Sequence, residues 1–110
     1  MSDTEKRVAV IQSLPCRKSE DRAYSVEFRT AAGDVFYLQK TKKISIVFDP
    51  RKVRSGSNVA GVIGQLRFNS NFYEFPKKLQ GGQAPEKYGV AFDAKDDSHM
   101  KMIITEALGI

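Results

Sequence analysis

Cysteine and histidine are almost absent from this sequence. Cys16 is the only cysteine and His99 the only histidine among 110 residues, so an internal disulfide and metal sites built from several cysteines or histidines are excluded. No serine–histidine–aspartate arrangement can be argued around one histidine in the first turn of a predicted helix, where a surface position is typical. We therefore expect no cofactor and no metal.

Long apolar runs are missing as well. The longest, "ISIVF" and "MIIT", are far too short to cross a bilayer. The first residues, "MSDTEKR", are polar where a signal peptide has an apolar block. We expect a cytoplasmic protein without a membrane partner, and 110 residues fit one domain, either a small protein or a module of a larger one.

Positive charge is concentrated in the middle of the chain. Residues 35–78 contain nine basic and two acidic side chains, a net charge of +7, so the remaining residues carry −2 of the total of +5. Such a bias predicts a one-sided positive field rather than a generally basic surface. Polyanions are the expected partners.

The hydrophobic pattern predicts an α+β fold in a single domain, with a curved antiparallel sheet of about five to six strands and two helices on one face. Alternating or β-rich segments predict the strands, and apolar spacing with capping residues predicts the helices. The predicted strands are residues 8–14, 23–30, 35–39, 43–48, 71–75 and 88–93, and the predicted helices lie within 57–66 and 96–109.

One face of this sheet is predicted to be open to solvent. If the helices cover the side that carries Phe28 and Ile46, then Ser25, Glu27, Arg29, Tyr37, Gln39, Lys43 and Ser45 lie on the other side. Basic side chains there can neutralise phosphates, and a tyrosine ring can stack on a base. The alternative is an ordinary antiparallel sheet with one wetted face.

A basic turn precedes the first predicted helix. Arg51, Lys52 and Arg54 lead to Ser57 or Asn58, either of which can be the N-cap. A helix N-terminus presents unpaired N–H groups to an oxyanion, so the turn predicts a contact to backbone phosphate. The glycine spacing fits neither a P-loop nor a dinucleotide fingerprint. The alternative is a mobile basic loop.

The segment "RFNSNFYEFPKK" adds amides between basic residues, and asparagine can pair with adenine through two hydrogen bonds. Its aromatic residues suit either an exposed surface or the core. The complete predicted set of nucleic-acid-binding residues is Tyr37, Lys40, Lys42, Lys43, Arg51, Lys52, Arg54, Ser57, Asn58, Arg67, Asn69, Asn71, Lys77 and Lys78.

A weaker pattern indicates catalysis. Asp93 and Lys95 follow an apolar strand with one residue between them. Restriction-type nucleases hold Mg²⁺ by such an arrangement, with a further acid such as Asp49.

The sequence leads to three functional hypotheses, in order of preference. The first is a non-catalytic nucleic-acid-binding domain, with DNA preferred to RNA. The second is a protein-interaction or inhibitor module for an acidic partner, and the third is a Mg²⁺-dependent nuclease component.

Overall fold

The computed structural model describes residues 2–79 and 84–110 and shows one large antiparallel sheet, a small two-stranded hairpin and two helices. Both helices, of 9 and 12 residues, are too short to span a bilayer, and no helix in the described ranges meets that requirement. In chain order the elements are α1 (Asp3–Ile11), β1 (Cys16–Asp21), β2 (Ser25–Thr30), β3 (Val35–Gln39), β4 (Ile44–Phe48), β5 (Asn58–Val59), β6 (Val62–Ile63), β7 (Gln65–Phe68), β8 (Lys77–Lys78), β9 (Glu86–Ala94) and α2 (Asp97–Leu108).

The strand order in the sheet is β1-β2-β3-β4-β9-β7. Strand β8 pairs with the first two residues of β9, at the end away from the residues that pair with β4. Strands β1 to β4 form consecutive hairpins, while β9 returns from more than 35 residues away to pair with β4. The sheet is open, and β5 and β6 form a separate small hairpin. The predicted α+β class with a large antiparallel sheet is confirmed.

Both helices pack on one side of the sheet, which we call the helix face. Alternation within the strands supplies its apolar side chains, and α2 contributes the buried residues of its apolar stripe, at the i, i+3, i+4 spacing of a helix side. Asp96 caps α2, since its Oδ1 accepts a hydrogen bond from the N–H of His99 at 2.8 Å. The core here contains Ile11, Val26, Phe28, Phe36, Leu38, Ile46, Phe48, Val53, Val59, Val90, Phe92, Met100, Ile103 and Ile104.

Helix α1 lies where a strand over residues 8–14 was predicted, and that prediction was wrong. Ser2 and Glu5 form a capping box, in which the Ser2 hydroxyl accepts from the Glu5 N–H at 3.1 Å and the Glu5 carboxylate accepts from the Ser2 N–H at 3.2 Å. This local signal starts the helix ahead of the apolar run. Arg7 is buried and donates to the carbonyls of Thr41 (2.7 Å) and Lys42 (2.8 Å), which ties α1 to the turn between β3 and β4.

The helix predicted within residues 57–66 is also wrong, because this segment forms the hairpin β5–β6 and then β7. Ala60 and Gly61 have φ values of 50° and 82°, as in a type I′ turn. Gly64 permits a close approach, since a Cβ there would lie 2.5 Å from Val90 Cγ1 and 2.6 Å from Phe92 Cζ. Gly61 and Gly64 are poor helix formers, and here they are required by the hairpin turn and by the close contact with the sheet.

The opposite side of the sheet, which we call the loop face, is covered by residues 69–76. Phe72 and Phe75 are buried at 0% and 3% exposure and pack on Tyr37, Val47 and Ala91 in a second core. The predicted open face is therefore wrong. Of its seven residues, Lys43 is exposed and Arg29 is half-buried, whereas the other five are buried: Ser25, Glu27, Tyr37, Gln39 and Ser45. The strand predicted for residues 71–75 is instead a series of turns, while β1, which was not among the predicted strands, is an edge strand.

Candidate nucleic-acid interface

A buried polar network fixes the loop face. The Glu27 carboxylate is 3% exposed and accepts hydrogen bonds from the Ser19 hydroxyl (2.7 Å) and the Tyr37 hydroxyl (2.9 Å), with the Arg22 guanidinium at 3.5 Å. Burial raises the pKa of the Glu27 carboxyl, but the bonds from Ser19 and Tyr37 and the charge of Arg22 outweigh it, so this pKa lies below its ordinary value. Glu27 is ionised at neutral pH.

Tyr37, a predicted nucleic-acid contact, belongs to this network and has 0% exposure. Burial, with the hydrogen bond to Glu27, raises the pKa of Tyr37 far above its ordinary value, so the phenol stays a donor. Its oxygen accepts from the N–H of Glu74 at 3.2 Å, which attaches the covering segment to the sheet. The ring packs against Phe72 and Phe75 and offers no surface to a base.

The basic turn is largely neutralised by local ion pairs. Arg51 contacts the Asp49 carboxylate at 2.7 Å, and Lys52 lies 3.5 Å from Asp34. Arg54 is exposed and forms no ion pair within the described residues. Of the predicted cations in this turn, only Arg54 has no carboxylate partner in the described part of the chain.

The two predicted N-cap residues have other roles, because no helix starts there. The Asn58 side-chain oxygen accepts from the N–H of Gly61 at 3.1 Å inside the hairpin turn. The Ser57 N–H donates to the Arg54 carbonyl at 3.1 Å. The predicted helix N-terminus, and with it the predicted phosphate contact through helix N–H groups, is therefore wrong.

A different set of basic side chains comes together at the edge of the loop face. Lys42, Lys43, Arg67 and Lys95, which we call the basic groove, line two cavities of about 320 and 450 Å³. The cavities adjoin, since Lys42, Lys43 and Asp93 border both. Across residues 2–79 and 84–110 none of the four cations forms an ion pair. The groove combines residues from the β3–β4 turn, from β7 and from the end of β9.

Strand register explains why these residues meet. Ile44 pairs with Ala94 and Ser45 with Asp93, which places Lys43 and Lys95 at the same end of β4 and β9. Arg67 pairs with Gly89 on the other side of β9. Lys95 and the buried Arg7, which borders the larger cavity, were not among the predicted nucleic-acid-binding residues. Lys95 reaches the groove only because β9 pairs with β4, and no short-range pattern of the sequence reveals that pairing.

The other predicted residues are dispersed. Lys40 pairs with Asp21 at 2.6 Å. Asn69 and Lys77 border a cavity of about 460 Å³ at the far end of β9, which we call the end cavity. Lys78 does not border this cavity but pairs across strands β8 and β9 with Glu86, which does, and its Nζ lies 5.8 Å from the centroid of the Tyr88 ring. Asn71 donates its N–H to the Asn69 side-chain oxygen at 2.9 Å, which closes a turn.

The carboxylates of the predicted metal site are far apart. Asp49 follows the end of β4 whereas Asp93 lies near the end of β9, and the strands are antiparallel, so the two residues lie at opposite ends of the pair. Four residues of strand separate them, about 13 Å. Within the described ranges no three histidine, cysteine or acidic side chains are positioned to hold a metal ion.

Comparison of this chain with protein-family models, with curated protein sequences and with solved structures gives no match.

Proposed function

We propose that this chain is a non-catalytic nucleic-acid-binding domain that acts in the cytoplasm, with DNA preferred to RNA. The observation that supports this proposal is the basic groove. Its four cations lack carboxylate partners among the described residues and line adjoining cavities of about 320 and 450 Å³. Phosphates of a polynucleotide are the repeating anions that such a groove accommodates.

A cation of this protein is available to a phosphate only if no carboxylate already holds it. A cation already paired with a carboxylate must give up that pair to neutralise a phosphate. An unpaired lysine or arginine instead replaces counterions condensed on the nucleic acid, and their release gains entropy. Arg51, Lys52 and Lys40 are of the first kind. Lys42, Lys43 and Arg67 are of the second kind and lie together, so the phosphate contacts are placed in the groove rather than in the basic turn.

The groove also contains one acidic residue, Asp93, which is exposed. The Asp93 carboxylate lowers the net charge of the groove from +4 to +3. The groove therefore favours a ligand whose negative charge is spread over several phosphates. Ser45 is buried beneath, and its hydroxyl donates to the Gln39 side-chain oxygen at 2.9 Å. The hydrogen bond between Ser45 and Gln39 thus fixes the side chains at the floor of the groove.

The test is a fluorescence titration of labelled single- and double-stranded DNA and RNA oligonucleotides at several salt concentrations. Replacing Lys42, Lys43 and Arg67 together with alanine should make the negative slope of log affinity against log salt shallower by roughly 2 to 3 units, at about 0.9 per lost phosphate contact on duplex and about 0.7 on single strands. Affinity should fall in parallel.

The matched control replaces Lys6, Lys18 and Lys101 with alanine, which removes the same charge from exposed sites outside the groove. This control should change the slope by less than about one unit. Equal effects of both triple variants would leave only a non-specific attraction to net charge. Tighter binding of poly-glutamate than of DNA would instead favour a module for an acidic protein partner.

A further inference from the structure

The end cavity is built differently from the basic groove. It lies where β7 and β9 pass beyond the helix-face core and is bordered by Phe68, Asn69, Ser70, Lys77, Pro85, Glu86 and Lys87. Its volume of about 460 Å³ is within the range of pockets that hold small organic ligands. An aromatic ring, neutral polar groups and both signs of charge border one space.

Phe68 supplies a ring that neither core requires. It is half-buried and belongs to neither of the two clusters of buried residues. Tyr88, which does not border the cavity, stacks on Phe68 with 5.8 Å between ring centroids and 27° between planes. Lys78 Nζ lies 5.8 Å from the Tyr88 centroid. The tyrosine thus supports the phenylalanine, which presents apolar aromatic surface to the cavity.

The polar groups around this ring match the edge of a nucleobase. The Asn69 side-chain oxygen accepts the Asn71 N–H, which leaves its NH₂ group to donate. The exposed Glu86 carboxylate can accept from a base amino or imino group, and the Ser70 hydroxyl can do either. The Lys77 ammonium is placed to meet a phosphate. A simple inorganic anion would use neither the ring nor the carboxylate.

The end cavity and the basic groove are joined along one strand. Arg67 of the groove and Phe68 are chain neighbours on β7, so their side chains lie on opposite faces of the sheet. β7 is the last strand in the sheet order, so the two faces meet at its edge. From Asp93 to Lys87 the strand β9 spans six residues, about 20 Å. A flexible polynucleotide bound in the groove can therefore bring a base to Phe68 by passing around the edge of β7.

We propose that the end cavity receives an unpaired nucleobase, so that the nucleic acid held by the basic groove is single-stranded. This inference rests on the proposed function. In a duplex the faces of a base are covered by its neighbours and its pairing edge is occupied, whereas an unpaired base can stack on Phe68 and present its edge to Asn69 and Glu86.

The experiment compares three labelled ligands of one sequence: a single strand, its duplex, and a single strand with abasic sites, which keeps the phosphates. Wild type should bind the single strand more tightly than either of the other two. Because base–aromatic stacking is lost, Phe68→Leu should weaken binding of the intact single strand by roughly five- to a hundredfold while leaving the other affinities within about twofold. Tyr24→Leu, at a ring that is 68% exposed outside the cavity, is the matched control and should change none of them.

The abasic strand tests the proposal on the wild-type protein, so the result does not depend on how Phe68→Leu folds. Equal binding of intact and abasic strands, or of single strand and duplex, overturns the base-binding cavity. If at the same time the Lys42, Lys43, Arg67 variant still weakens binding, the proposed function stands without it. No binding of any oligonucleotide at low salt overturns both.

Discussion

Glu27 is a charged residue whose burial is made tolerable by its partners. Its carboxylate is 3% exposed and accepts from two hydroxyls, while Arg22 and Arg29 lie within 3.5 and 4.0 Å. An uncompensated carboxylate at this position would cost several kcal/mol. Because Tyr37 also accepts from the backbone of the covering segment, the charge on Glu27 is coupled to the packing of the loop face.

We predict that Glu27→Gln lowers the free energy of unfolding by about 1 to 3 kcal/mol at pH 7, since bonds to a charged acceptor are lost. The folded pKa of Glu27 lies below its ordinary value of 4.5, so the stabilisation is complete above that pH and is lost as the pH falls through the folded value. Urea unfolding from pH 7 to about pH 3 should show the difference between the two proteins shrinking in acid.

The exposed residue Glu106 provides the control for this measurement. Glu106→Gln should leave stability unchanged within about 0.5 kcal/mol at each pH. A difference between wild type and Glu27→Gln that stays constant from neutral to acid pH would contradict the ionised, hydrogen-bonded carboxylate.

The hairpin β5–β6 is an element held by contacts to the rest of the protein. His99 bridges it to α2: Nδ1 accepts from the Lys95 N–H at 2.9 Å, which leaves Nε2 to donate to the Ala60 carbonyl at 2.9 Å. Val59 is buried in the helix-face core. The lone histidine, predicted as a surface residue, is half-buried and joins two elements.

We predict that Ala60→Gly stabilises the protein by several tenths of a kcal/mol, up to about 1, because alanine is strained in the left-handed region and glycine is not. Ala60 has a φ of 50°. In a helix the same change would cost about 1 kcal/mol, so the sign of the effect distinguishes the hairpin from the helix that the sequence pattern favours. Thermal and urea unfolding provide the measurement.

Ala9 is the matched position, because it is exposed and lies inside α1. Ala9→Gly should destabilise the protein by about 1 kcal/mol. If Ala60→Gly destabilises the protein as much as Ala9→Gly does, the turn assignment is wrong.

At the scale of the whole molecule, one sheet separates two cores. Ile46 lies in the core under the helices, and Phe72 lies in the core under residues 69–76, both at 0% exposure. Alternate residues of the same strands supply the two cores, for example Ile46 and Val47 of β4. Loss of the sheet would therefore remove both cores together.

We predict that Ile46→Ala costs about 2 to 5 kcal/mol and Phe72→Ala about 3 to 5 kcal/mol, because each leaves a cavity in a packed core. Both variants should shift a single cooperative transition. The chain has four tyrosines and no tryptophan, so tyrosine fluorescence, to which Tyr37 in the second core contributes, can be compared with far-UV circular dichroism. Lys43→Ala, at an exposed position, should cost well under 1 kcal/mol. Separate transitions in Phe72→Ala would mean that the second core unfolds independently.

The sequence by itself determined the elements whose signals are local. Alternation predicted residues 23–30, 35–39, 43–48 and 88–93 as strands, because side chains of a strand alternate between two faces whatever the partner strand is. Apolar spacing with a cap at Asp96 predicted α2 in the same way. The capping box of Ser2 and Glu5 was equally local, and α1 was missed because the apolar run after it favoured a strand.

Only the tertiary structure decided which surfaces are available. The alternating pattern around Tyr37 predicts a strand whether its face of the sheet is open or covered. Residues 69–76 cover that face, and no periodicity in the sequence predicts this packing. Lys52 is paired because a turn brings it to Asp34. Lys43 and Lys95 lie at one end of two strands because β4 pairs with β9, which depends on burial of side chains remote in the chain. Charge is a property of the sequence, but the neighbours that cancel or concentrate it are set by the fold.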